Sequence, residues 1–175
     1  MTTYVALLRG IMPMNPNMRS AKLKEAFEKM GLKNVKTVIA SGNVVFDSPK
    51  NAAVLEALIE KSLPELIGFK STTLIRSTKE IEALVRKNPL KKSLENPKLY
   101  PIVTFLKMKS RTKLPKKGEG YIIYGAYERE ICIAINKDNV QTSLVMRLLE
   151  KKFDKAITMR TWRTVERILK TMHSP

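Results

Sequence analysis

What this chain of 175 residues has little of narrows it first. It carries one cysteine, Cys132, so an internal disulfide framework is excluded and the usage fits a reducing cytosol. It carries one histidine, His173, which leaves no ligand set for structural zinc and no base for a serine triad. No apolar run approaches the roughly 18 residues that a membrane span needs. The opening MTTYVALLRGI lacks the basic-then-apolar order of a signal peptide. The expectation is a cytoplasmic protein with no metal and no cofactor, a monomer or weak dimer. Acidic residues are the last shortage: 16 Asp and Glu stand against 33 Lys and Arg, for a net charge of +17. A field of that sign favours nucleic acid, a phosphorylated ligand or an anionic surface. The same charge also suits a lysine-rich solvated surface with no partner at all.

What is present is core material, 43% of the residues being apolar, enough for one compact domain or two small ones. The chain is organised around Thr37 to Asp47, where Val38-Ile39 and Val44-Val45-Phe46 flank Ser41-Gly42-Asn43. Gly and Asn tolerate the positive φ of a tight reversal, so the stretch predicts a β-hairpin. Thr3 to Leu8 predicts a strand buried on both faces. Leu23, Ala26, Phe27 and Met30 recur at helical spacing, closed by Gly31. Ser48-Pro49 predicts the start of a second helix with Val54, Leu55, Leu58, Ile59 and Leu63 inward, broken at Pro64. A strand follows at Ser71 to Arg76, and then a helix opened by the capping box Ser77 to Glu80.

The order so far is βαββαβ, the ferredoxin-like arrangement. Leu90 to Pro101, with Pro97 and three lysines, reads as the connection. The second half repeats the rhythm: a strand at Ile102 to Leu106, a basic loop to Gly120 holding one short helix, and a hairpin of Tyr121 to Tyr124 with Glu130 to Ile135. A helix from Val140 to Phe153, an edge strand at Ala156 to Thr158 and a last helix at Thr161 to Met172 complete it. The fold expected is α+β: two ferredoxin-like lobes in tandem, each followed by an extra helix. The N-terminal lobe covers residues 1–90, the linker 91–101 and the C-terminal lobe 102–175.

Three stretches together resemble a known family: YVALLRGI at Tyr4 to Ile11, SGNVVF at Ser41 to Phe46, and TMRTWRTVERIL at Thr158 to Leu169. They are similar to the bacterial family catalogued as domain of unknown function sixteen-ninety-seven, with the likeness running end to end. The resemblance implies paired ferredoxin-like halves, a cytoplasmic location and no assigned reaction. The family usually follows the first strand with Asn-Val-Gly-Gly; here the loop reads Ile11-Met12-Pro13-Met14-Asn15. A glycine-rich stretch before the second-half helix appears here as Lys137 to Ser143. The family's Arg-Asn-Trp-Asn is here Arg160-Thr161-Trp162-Arg163. A ligand site built on those glycine loops in relatives is therefore lost or altered in this chain.

Four groups of residues are candidates for function. Arg9 and Gly10 end the first strand, where loops meet ligands and a guanidinium can hold phosphate or carboxylate bidentately; Arg9 can equally pair with a carboxylate of its own chain. Ser41, Gly42 and Asn43 can form an anion nest or be simply a turn. Arg160, Arg163 and Arg167 fall on one face of a helix beside Trp162, either as a phosphate site with a stacking ring or as solvated arginines beside a core anchor. Lys107 to Lys117 (KMKSRTKLPKK) holds Lys107, Lys109, Arg111, Lys113, Lys116 and Lys117 and no acid, a candidate for phosphate-backbone contact. It has no interleaved aromatics, and the chain lacks the RNA-recognition strand signature. No carboxylate pair stands in opposed environments, so acid–base chemistry is not indicated. Binding of nucleic acid or a phosphorylated small molecule is the leading expectation. An enzyme acting on an anionic small molecule between the lobes is the alternative, and a scaffold pairing through a sheet edge is a third.

Overall fold

The computed structural model describes all residues except 111, 113, 115, 139–141, 154 and 175. The chain is α+β, with helices packed on two antiparallel sheets. It divides into two compact units, residues 1–83 with 166–175, and residues 84–165.

The first unit runs β1 (Thr2–Leu8), a single 3-10 turn (Pro16–Met18), α1 (Ser20–Lys29), β2 (Lys33–Thr37), β3 (Asn43–Ser48), α2 (Ala52–Ile67), β4 (Thr73–Ser77) and the start of α3 (Thr78–Lys87). Its strands lie in the order β2-β3-β1-β4. Alternation in β1, β3 and β4 sends Ala6, Leu8, Val44, Phe46 and Ile75 to the helix-covered face. There they meet Leu23, Ala26 and Phe27 of α1 and Leu55, Ile59, Leu63 and Ile67 of α2. Phe27 and Phe46 pack edge to face with centroids 5.6 Å apart.

The organising hairpin is displaced from its expected register. Its first strand is Lys33–Thr37, and Val38 and Ile39 belong to the turn. Ile39 sits at φ +58° and Gly42 at φ +73°, so the reversal is wider than two residues and its apolar start is not strand. The second helix opens at Asn51, whose side chain accepts from the Val54 N–H at 3.0 Å; Ser48 is still in β3. Pro64 does not break it. The helix continues to Ile67 and ends at Gly68, φ +73°, because burial of Leu63 and Ile67 on either side of the proline offsets one missing donor. Val54 lies outside the buried stripe. The capping box forms as expected: Glu80 Oε2 accepts the Ser77 N–H at 2.8 Å.

The second unit holds α4 (Lys91–Leu94), β5 (Leu99–Leu106), β6 (Lys117–Gly118), β7 (Tyr121–Ala126), β8 (Glu130–Asn136), α5 (Thr142–Phe153), β9 (Ile157–Thr161) and the start of α6 (Trp162–Met172). The segment expected as a bare connection thus carries a helical turn and the first residues of a strand. Strand order is β6-β7-β8-β5-β9. Ile102, Leu106, Ile131, Ile133, Ile135 and Ile157 form its core with Val145 and Leu149 of α5. Leu144 and Leu148 of that helix are exposed. Between β5 and β7 no helix forms among the described residues; the short strand β6 stands there instead. A chain dense in lysine, with Pro115 and Gly118, has no apolar stripe to nucleate one.

The two units share one register. Val5 faces Arg76 across β1 and β4, and Val103 faces Arg160 across β5 and β9. Val5 also faces Val45, as Val103 faces Cys132. Setting Arg76 on Arg160 aligns Ser77 with Thr161, Ile81 with Val165 and Glu82 with Glu166.

Candidate functional site

Each first strand ends in a cation held at the same place. In the first unit the Leu8 N–H donates to Gly42 O at 2.8 Å and the Arg9 N–H to Thr72 O at 3.0 Å. In the second, the Leu106 N–H donates to Arg129 O at 2.8 Å and the Lys107 N–H to Ala156 O at 2.9 Å. Arg9 and Lys107 are therefore counterparts, each half-exposed where three strands of its sheet finish. The Ser71 hydroxyl donates to Arg9 O at 2.8 Å and fixes the turn beneath it.

Ser41, Gly42 and Asn43 come to the same end of the sheet as Arg9 and Gly10, since Asn43 pairs with Leu7. Asn43 is buried, and its amide N–H groups go to Val38 O at 2.9 Å and to the Ser41 hydroxyl oxygen at 2.9 Å. Gly42 is packed on Ile11, so a Cβ there would run into the Ile11 side chain. Asn43 and Gly42 thus build the turn, and what the turn offers outward is the half-exposed Ser41 beside Arg9 and Gly10.

Arg160, Arg163 and Arg167 do not share a helix face, because β9 runs through Thr161 and places Arg160 in the sheet. Arg160 is buried, donates to Thr158 Oγ1 at 2.7 Å and to Met159 O at 2.8 Å. Loss of hydration pulls its pKa down to about 10. Trp162 is buried at the first position of α6, whereas Arg163 and Arg167 are exposed. Thr161 caps that helix through the Thr164 N–H at 3.1 Å, at the position Ser77 holds in the first unit.

The described lysines of the basic run lie at or near the surface. Lys109, Lys116 and Lys117 are exposed and Lys107 half-exposed; Arg111 and Lys113 lie outside the described residues, as do residues 139–141 of the altered glycine loop. Lys109 meets Glu128 at 2.9 Å, an exposed pair of small worth. Lys116 and Lys117 have no acidic partner among the described residues.

Two clefts were not legible in the sequence. One of about 330 Å³ in the first unit is lined by Thr3, Asn34, Lys36 and Asp47 with the end of α6. Its polar groups are spent internally: Asp47 accepts from Thr3 Oγ1 at 2.6 Å and Asn34 Nδ2 at 2.7 Å, and Lys36 donates to Ser174 O at 2.9 Å. The other, of about 340 Å³, lies beside the basic run in the second unit.

The family model described as protein of unknown function (DUF1697) matches residues 1–119. No curated protein matches the chain. Among solved structures, the conserved bacterial protein SP0830 from Streptococcus pneumoniae is similar at 20% identity and a TM-score of 0.74, with 99% of each chain covered. That likeness extends to the fold alone.

Proposed function

The chain belongs to the DUF1697 family of proteins of unknown function, and we propose that within it this member is a cytosolic nucleic-acid-binding protein gripping the phosphate backbone through its second unit. The observation that carries this is a replacement. Where the first unit follows β1 with α1, the second follows β5 with residues 107–117, six of them basic and none acidic. Of the described lysines, Lys116 and Lys117 face solvent with no carboxylate partner among the described residues, while Lys109 meets Glu128. Lysines spread along a stretch of chain suit the evenly spaced phosphates of a strand better than one compact phosphorylated ligand, which calls for convergent donors. The Ser41–Asn43 turn fits the small-ligand role less well, since Asn43 is committed inside it. We also read each unit as ferredoxin-like; the shared register and the order β2-β3-β1-β4 support this.

Fluorescence anisotropy with a short duplex and with a single strand of the same sequence, at about 50 and about 200 mM salt, tests the proposal. Some four phosphate contacts would cost about a hundredfold in affinity over that range. Replacing two of the lysines, Lys109→Gln with Lys116→Gln, should lower the slope by about two. Absence of binding at the lower salt would sink the proposal.

A further inference from the structure

The groove beside the basic run has the chemistry of a base pocket. Resting on the nucleic-acid reading above, we propose that it receives one unstacked nucleobase of a single strand, a thymine or uracil, whose phosphates lie along the lysines. Its floor is Leu99, Ile122 and Ala134. Ile122 and Ala134 are register partners, and alternation turns them away from the face that carries Ile131, Ile133 and Ile135 into the core. An apolar floor suits the flat face of a ring.

Asn96 and Asn136 line the same groove. The Asn96 Oδ1 accepts the Lys98 N–H at 3.0 Å, and the Asn136 Oδ1 accepts the Asp138 N–H at 3.0 Å. These bonds settle which amide atom is oxygen and leave each NH2 as the available donor. Neither NH2 group, nor the Lys117 ammonium, has a partner among the described residues. A Cβ at Gly118 would meet the outer end of the Tyr121 ring, so glycine lets that ring lie against the lip of the groove. Two amide donors over an apolar floor select a ring edge rich in acceptors. The two carbonyls of thymine or uracil answer them; guanine offers O6 and N7 only on a bulkier double ring, and adenine turns an amino donor toward one. Lys117, in the groove wall and at the end of the basic run, links the base to its phosphate. A volume of about 340 Å³ is at the lower end of ligand pockets, the size of a base with its sugar.

The test is anisotropy of equal-length labelled oligo-dT, oligo-dA and abasic strands, which carry the same phosphates. Oligo-dT should bind about tenfold tighter than the abasic strand and tighter than oligo-dA. Ile122→Gln, at an exposed position and uncharged beside its register partner Lys117, should erase that difference while leaving the salt slope; Ile122→Leu should keep both. Displacement of oligo-dT by millimolar dTMP, with no effect of ribose phosphate, would further support the base pocket. If the abasic strand binds as well as oligo-dT, with a steep salt slope, the pocket is refuted and the backbone reading stands. If oligo-dA is preferred, the donor-edge assignment is refuted. If no strand binds at low salt, both fall.

Discussion

At the scale of single residues, burial decides chemistry. Cys132 lies in β8 with no exposed surface. Loss of hydration, helped by the Glu130 charge and opposed by Lys87, pushes its thiol from 9.0 up to about 12. The folded chain therefore keeps this proton over a pH range in which the unfolded chain has released it. Below the lower value the thiol contributes nothing to the pH dependence. Above it, stability falls as pH rises, by up to about 1.4 kcal/mol per unit. The stability of the native chain relative to Cys132→Ala, from urea melts, should drop by about 2 kcal/mol between about pH 8 and about pH 10.5. A constant difference would refute the burial argument. Gly42 and Asn43 teach a related lesson. Their identities were legible as turn formers, but the Ile11 side chain that makes glycine obligatory is distant in sequence and could not be read.

At the scale of elements, the edge of the first sheet is closed by a helix. β4 is an edge strand, and its outward N–H groups do not face water alone. Thr73 N–H donates to Glu60 Oε1 at 2.8 Å, and Ile75 N–H donates to Glu56 Oε1 at 2.9 Å. Two carboxylates one helical turn apart thus occupy donors that would otherwise template another strand. Glu56→Ala with Glu60→Ala should cost about 3–6 kcal/mol, charge-assisted bonds being worth about 1.5–3 each, and should produce concentration-dependent association. Chemical melts and sedimentation velocity check this; a double variant that stays as stable and as dispersed as the parent would refute it. Helix and strand identities were mostly legible because apolar spacing reports the buried face directly. Boundaries were not. The helix at Pro64 survived on tertiary burial, and Arg160 passed from a supposed helix face into a strand because Thr158 to Thr161 pair with β5. The echo of Arg76-Ser77 in Arg160-Thr161 was present in the sequence and gave the register repeat; it is too short to notice without the pairing. The base groove was invisible, since Asn96, Lys117, Ile122 and Asn136 converge only through strand pairing.

At the scale of the whole molecule, the chain leaves its first unit at Ala83 and returns to it at Glu166. The returning segment is anchored: Met172 is buried, Lys36 donates to Ser174 O at 2.9 Å, and His173 Nε2 lies 3.0 Å from Glu82 Oε1. Residues 166–175 are thus a component of the first unit rather than a tail. Deleting them removes the buried Ile168 and Met172 together, a loss of about 4 kcal/mol or more. Amides of β1 to β4 should then lose hydrogen-exchange protection. A truncated chain with an unchanged melt and unchanged exchange would show that the segment is dispensable.

That return has a consequence during synthesis. A ribosome delivers residues 1–83 long before residues 166–175, and the whole of residues 84–165 must emerge in between. The nascent first unit waits incomplete, its four strands delivered but its last segment still to come, while the residues of the second unit are being added. The later half of the message finishes the earlier half of the protein, and a pause in translation near the end of the chain would prolong the interval in which the first unit needs protection from its neighbours.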